Sequence, residues 1–361
     1  MTARTASTRI RFASEGRTAA LMMLPASLLL LVFLIVPFFM AFYLSLTDQR
    51  LISPNPAQFI GLDNYRQLLR IEVIPLPQQL DDAGNPVVED GVVQYVRPRE
   101  VLRGNEAYDG LRELTQADVF GTRYLIAAGD PRFIRSLINV FYFAAVIVPV
   151  QSAFALLLAM LVNQKLRGMG IYRAIYFSPV VTTMAVIAVV WFFLYNPDQG
   201  LINAFLRFIG VQNPPRWLED SRSAMPAIMI LSIWQGAGFQ MVIFLAGLQE
   251  IPDSLYEAAN IDGANTWQQF WNVTLPSLRN TTIFVVISST ILALRLFTQV
   301  QIMTFGQGGP EDSTVTIMLH LISQGFNEQR MGYASAIAVV FVLIVLGISL
   351  LQRTVLREER A

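Results

Sequence analysis

Six stretches of this chain are long and apolar enough to dictate where it can fold. They lie near 20–46, 137–162, 172–195, 225–248, 281–304 and 333–352. A helix of about 20 mostly apolar residues crosses the hydrocarbon core of a bilayer. In that core every backbone N–H and C=O must be bonded within the segment, so each stretch is expected to be helical. The expected fold is all-α, a polytopic membrane protein with six transmembrane helices. Composition agrees: of 361 residues, 54% are hydrophobic and 14% charged, where ordinary soluble domains carry about a quarter charged residues. Lys+Arg and Asp+Glu balance at 26 each, which leaves no basic excess for nucleic acid. Cysteine is absent, which excludes disulfides, thiolate metal sites and cysteine catalysis.

The first stretch is expected to be a retained helix. Its apolar run from Ala19 to Leu46 outlasts a signal-peptide core, and no small-x-small cleavage site follows. Basic residues in short flanking segments orient the rest. Arg4, Arg9, Arg11 and Arg17 precede span 1. Lys165, Arg167 and Arg173 lie between spans 2 and 3, and Arg353, Arg357 and Arg360 follow span 6. With six spans all three regions share one side, so both termini are expected in the cytoplasm of a cell (inner or plasma) membrane protein. The chain then divides into a cytoplasmic tail (1–18), helix 1 (19–46), a long outer loop or small insertion (47–136), a five-helix core (137–352) and a second tail (353–361). Val87–Val93 in the outer loop reads as a hairpin with Asp90-Gly91 at its turn. A P-loop of the form G-x-x-x-x-G-K-[ST] is absent, so no ATP site of that kind is expected here.

The inner loop between spans 4 and 5 is more defined than a tether needs to be. Asp253 or Ser254 can cap a short helix, Ser254-x-x-Glu257 fits a capping box, and Gly263 can end the helix in the left-handed conformation. A second helix is expected from about Asn265 to Val273, with Trp267, Phe270 and Trp271 on one side, before Pro276 breaks it. Two readings stay open on these features: an interfacial helix with a Trp belt, or a surface on which something docks.

Glu257-Ala258-Ala259, three residues, Gly263, nine residues, then Val273-Thr274-Leu275-Pro276 resembles the cytoplasmic motif of ABC importer permeases. Val273 stands where Ile is usual. Phe59–Tyr65, Tyr172–Pro179, Tyr195–Asn203, Gly308-Gly309-Pro310 and Met331–Ala336 look like segments of the carbohydrate-uptake branch. Within it the chain resembles the maltose-system MalF type rather than its MalG-type partner. The resemblance implies that 254–263 is a coupling helix, with Glu257, Ala258, Ala259 and Gly263 contacting a separate ATPase. It implies a second, MalG-like permease subunit, two ATPase subunits as a homodimer, an extracytoplasmic substrate-binding protein and a sugar substrate. No cofactor is expected in this chain; ATP and Mg would be bound by the ATPase. No catalytic or metal-ligating residue is assigned, and His320, the sole His, is expected to be surface or packing.

Substrate in a transporter is expected near the midplane, on faces that look into the bundle. Ser232, Gln235, Gly236 and Phe239 fall at i, i+3, i+4 and i+7, one helical face. The amide can bind hydroxyls and the ring can stack on a sugar. Packing through small residues is the competing reading. Arg295 is the one ionised residue deep in a span, with Thr298 three residues on, and a charge there costs at least about 2.5–3.5 kcal/mol. Arg295 is expected either at substrate or as a structural lock. The resemblance carries over Val180 and Met184 in span 3 beside these positions. The expected function is an ATP-driven permease subunit for a di- or oligosaccharide or glycoside, working by alternating access. The alternatives are a same-type permease for a phosphorylated or other polar solute such as glycerol phosphate, in which Arg295 serves the anion, and, more distantly, a stand-alone secondary transporter.

Overall fold

The computed structural model describes residues 18–82, 84–89, 92–164 and 167–355. Arg4, Arg9, Arg11, Arg17, Lys165, Arg357 and Arg360, which carried much of the orientation argument, lie outside them. So do Asp90 and Gly91 of the expected hairpin turn. The described residues form two compact units. One holds those up to Arg66 with Gln324–Val340; the other holds Gln67–Ser323 and the residues from Phe341 on.

The first unit begins with α1 (Thr18–Ser45), a span that is exposed through Met40. The Phe59–Tyr65 segment has a clear local task here. Asn64, in α2 (Asp63–Leu69), donates from Nδ2 to the carbonyls of Ser45 at 2.8 Å and Thr47 at 2.9 Å. Those carbonyls, freed where α1 ends, thereby find partners. Tyr65 adds a hydroxyl contact to Ser45 Oγ at 2.6 Å.

The second unit opens with a small domain that hydropathy alone did not resolve. Its strands are β1 (Ile71–Pro75), β2 (Val88–Glu89), β3 (Val92–Val93), β4 (Arg112–Val119) and β5 (Thr122–Ala128), with α3 (Pro98–Arg103) between β3 and β4. The sheet β1-β5-β4 is antiparallel, and β2 pairs with β3 as the expected hairpin. Ile74, Leu76, Leu111, Leu125 and Ala127 make its core. β4 turns into β5 at Phe120-Gly121, both with positive φ (49° and 81°). That backbone matches the twist of a two-residue hairpin and suits glycine.

Long helices follow. α4 (Pro131–Val162) starts earlier than hydropathy suggests, because Asp130 caps it (Oδ1 accepts from Phe133 N at 3.0 Å) and Pro131 suits a first turn. The expected third span is two helices, α5 (Met169–Val181) and α6 (Met184–Leu194), bent by 95° at their junction. Pro179 weakens the end of α5, and Thr182 and Thr183 take extended backbone (ψ 137° and 141°). α7 (Leu201–Phe208) packs its Asn203 against the carbonyls of Pro197 and Pro215. Then come α8 (Ala224–Gln249), α9 (Asp253–Ile261), α10 (Thr266–Gln269), α11 (Arg279–Leu294), α12 (Thr298–Met303), α13 (Ile317–Ile322) and α14 (Met331–Val355). Among the described residues five helical runs are long and apolar enough to span on their own: Thr18–Ser45, Pro131–Val162, Ala224–Gln249, Arg279–Met303 and Met331–Val355. The bent pair makes up to six.

α4, α8 and the foot of α11 share one core. Ala155, Leu158 and Ala159 meet Ala237, Met241, Phe244 and Leu248, with Leu278 and Val285 closing the base. Small residues on α4 let the helices approach, as in membrane helix pairs. Phe141, Leu157 and Phe284 on the same helices stay exposed, which suits lipid contact. Gly238 marks the tightest approach: a Cβ there would collide with the Tyr176 carbonyl oxygen on α5. Gly238→Ala is expected to cost about 2–3 kcal/mol through this overlap, despite the gain of helix propensity. Gly347→Ala, which meets nothing within 4 Å, should be neutral or better. Thermal midpoints of the two variants in detergent check this; equal midpoints would remove the close-approach account.

Candidate functional site

Two neighbouring cavities, of about 190 and 220 Å³, lie against α4, α8 and α11. Gln151, Gln235, Gly236, Gln240, Ser289 and Leu292 line both. Val180 and Phe239 line the first; Met184, Ser232 and Gln299 line the second. The α5–α6 bend explains how two span-3 residues reach different cavities, since Val180 ends one helix and Met184 begins the next.

The structure thus brings together Val180, Met184, Ser232, Gln235, Gly236 and Phe239. Arg295 and Thr298 line neither cavity. The helical spacing that paired them does not hold. α11 ends at Leu294, Phe297 has φ −148° and ψ −63°, and Thr298 starts a new helix, so a three-residue step no longer means one face. Arg295 is exposed, and its guanidinium makes no hydrogen bond or ion pair among the described residues.

Gln151, Gln240, Ser288 and Ser289 were missed as lining residues. Each is a polar side chain in an apolar run, which was the available signal; their convergence depends on how α4, α8 and α11 pack. Ser232 Oγ donates to the Ile228 carbonyl at 2.7 Å and accepts from Gln299 Nε2 at 3.2 Å. Gln240 Nε2 reaches Ser289 Oγ at 2.6 Å. None of the lining residues of either cavity is charged. Amides, hydroxyls and the exposed ring of Phe239 can hydrogen-bond and stack on an uncharged polar molecule.

The α8–α11 loop forms the second candidate. Glu257, Ala258 and Gly263 are exposed and Ala259 is half-buried. The capping box expected at Ser254–Glu257 is not formed. The N-cap is Pro252, without a side-chain cap bond, because α9 starts two residues earlier than that box requires. The box belongs to α10 instead, where Asn265 and Gln268 bond reciprocally at 2.8 and 2.9 Å. Gly263, with φ 79°, ends α9 as expected. Tyr256 OH meets Thr274 Oγ1 at 3.0 Å, and Gln269 Nε2 donates to Asn260 Oδ1 at 2.6 Å. Trp267, Phe270 and Trp271 cluster with centroids 5.3–5.9 Å apart. The helical run continues through a π-turn at Phe270–Thr274 to Ser277, so Pro276 sits inside it rather than breaking it.

His320 is 1% exposed, with Nε2 2.7 Å from Asp130 Oδ2. It is a packed residue in α13. Arg132 pairs with Asp312 at 3.0 Å and also donates to the Gln307 carbonyl. Arg135 reaches the Glu311 carbonyl. These contacts tie the loop before α13 to the first turns of α4.

The family model described as "Binding-protein-dependent transport system inner membrane component" matches residues 124–360. The chain is 30% identical over 347 residues to the trehalose/maltose transport system permease protein MalF of Thermococcus litoralis, covering 96% of each. It is 32% identical over 224 residues to the sn-glycerol-3-phosphate transport system permease protein UgpA of Agrobacterium fabrum, covering 62% of this chain and 75% of that one. A bacterial ABC transporter involved in import of the acidic polysaccharide alginate has a chain of similar fold (TM-score 0.67, 18% identity, 97% and 98% covered). With its apolar spanning helices and this match over more than half its length, the chain is a multi-pass membrane protein that belongs to the family of binding-protein-dependent transport system inner membrane components.

Proposed function

We propose that this chain is the non-catalytic permease subunit of an ATP-driven importer for a neutral sugar, a di- or oligosaccharide or a glycoside. The observation that carries the sugar reading is the charge-free lining of the two cavities, built of amides and hydroxyls with Phe239 beside them. The full-length likeness to a trehalose/maltose permease supports it. The position of Arg295 outside both cavities weakens the phosphorylated-solute alternative, which needed that cation at the ligand.

In this reading a second permease subunit completes the pathway, and two copies of an ATPase bind ATP and Mg. A binding protein delivers sugar from outside. Both termini are cytoplasmic, which sets the α8–α11 loop on the ATPase side. Glu257, Ala258, Ala259 and Gly263 meet the ATPase. ATP-driven closure moves that loop and shifts the cavity between outward and inward access, a bias between two states. Ser232, Gln235, Gly236 and Phe239, with Val180 and Met184, form this chain's part of the sugar site.

The test is uptake by the whole complex, with its binding protein, in proteoliposomes. Radiolabelled trehalose, maltose and a neutral trisaccharide are set against sn-glycerol 3-phosphate. ATP-dependent uptake of a neutral sugar is expected. Preference for the phosphoester would reverse the substrate reading, and uptake by this chain alone without ATP would reverse the mechanism.

A further inference from the structure

Much of the polarity of the two cavities comes from groups that the fold itself leaves unused. Gln151, on α4, is 8% exposed, and neither end of its amide has a hydrogen-bond partner among the described residues. Gly236 keeps room for it. A Cβ there would stand 2.5 Å from Gln151 Nε2 and 3.0 Å from Cδ and Oε1, so Gly236 works as a seat for the Gln151 amide as well as a cavity wall.

Gln240 is 4% exposed, and its orientation is fixed by a chain of bonds. Ser289 Oγ gives its one proton to the Val285 carbonyl at 2.6 Å. That hydroxyl must then accept from Gln240, which makes the atom 2.6 Å away the amide nitrogen. Oε1 is left buried without a partner, on a residue that lines both cavities. A carbonyl oxygen held this way needs a donor.

We infer that Gln151 and Gln240 are specificity-determining residues that recognise uncharged hydroxyl groups of the transported molecule. Gln151 offers a donor and an acceptor together, which matches neighbouring hydroxyls on a sugar ring. Gln240 offers an acceptor, which a hydroxyl satisfies and a phosphate or carboxylate oxygen does not. The inference rests on the importer reading above and names the groups that select within it.

The test is radiolabelled trehalose or maltose retained on the complete complex trapped with ATP and vanadate in the presence of its binding protein. Gln151→Leu and Gln240→Met are each expected to lower retention about ten-fold, the loss of one well-placed hydrogen bond. Co-elution of each variant with its partner subunits on size-exclusion chromatography reports assembly. Gln352→Leu is the control: its amide bonds Thr290 at 2.8 Å, and it lines neither cavity. It should retain sugar like the wild type. Gln151→Asn, which keeps the amide but withdraws it, should fall between. Wild-type complex that retains no neutral sugar would overturn the sugar reading itself. Wild-type retention with undiminished retention in both glutamine variants would overturn this inference alone, as would an equal loss in Gln352→Leu.

Discussion

A complex carrying Glu257→Lys is expected to keep hydrolysing ATP while its sugar uptake falls by about a hundred-fold, the scale of an interfacial charge contact worth about 3 kcal/mol. The side chain is exposed, forms no capping box and makes no hydrogen bond or ion pair among the described residues. Its loss therefore removes nothing that holds α9 together. The effect should lie in coupling, and a separate measurement of ATPase rate and uptake resolves it. Gly263→Leu should act in the same direction and more weakly. No atom lies within 4 Å of its Cβ position, so the cost is backbone strain at φ 79°, about 1 kcal/mol. Wild-type uptake in both variants would return the loop to an interfacial helix. Loss of ATPase and uptake together, with an aggregated protein, would mean that Glu257 is structural after all.

Asp130→Ala is expected to lower stability by about 4 kcal/mol. One carboxylate oxygen caps α4 through Phe133 N at 3.0 Å, and the other holds His320 Nε2 at 2.7 Å. The cap contributes about 1 kcal/mol. Removing one member of a buried polar pair costs about 3 kcal/mol. His320 cannot compensate, because its Nδ1 is already buried without a partner. Asp130→Asn keeps a capping oxygen and an amide able to meet the ring, so it should recover most of the loss. Thermal midpoints of the purified complex decide; Asp130→Ala melting with the wild type would sink the account. Proteolysis gives a second reading, since α13 and the loop before it should become cleavable first.

The spans were legible because a bilayer imposes a length and a composition that few other environments do. The Ser232–Phe239 face was legible for the same reason: polar residues one helical turn apart in an apolar run have few places to go. Gln151 was equally conspicuous in its own run, but its meaning depends on Gly236 lying opposite, a contact between helices far apart in sequence. The break after Leu294 was hidden, because Arg295–Phe297 carries neither Pro nor Gly and tertiary packing sets its dihedrals. The α5–α6 bend had a signal in Pro179, but an apolar run on both sides made one straight helix the simpler reading. The small sheet was the least visible element. β1 pairs with β5 across a long, charged, loop-rich segment, and nothing local encodes that register.

The crosswise ties in the α8–α11 loop have a mechanical consequence. Tyr256 to Thr274 and Asn260 to Gln269 fasten the first short helix to the second at two points, while Tyr256 also packs on the core beneath. A loop pinned in this way is a stiff lever rather than a spring. A push on its exposed tip turns the whole piece and displaces the foot of α11 with little lost to local bending. The backbone amides of α9 and α10 should accordingly exchange with deuterium as one block, and cutting either tie should let them exchange separately.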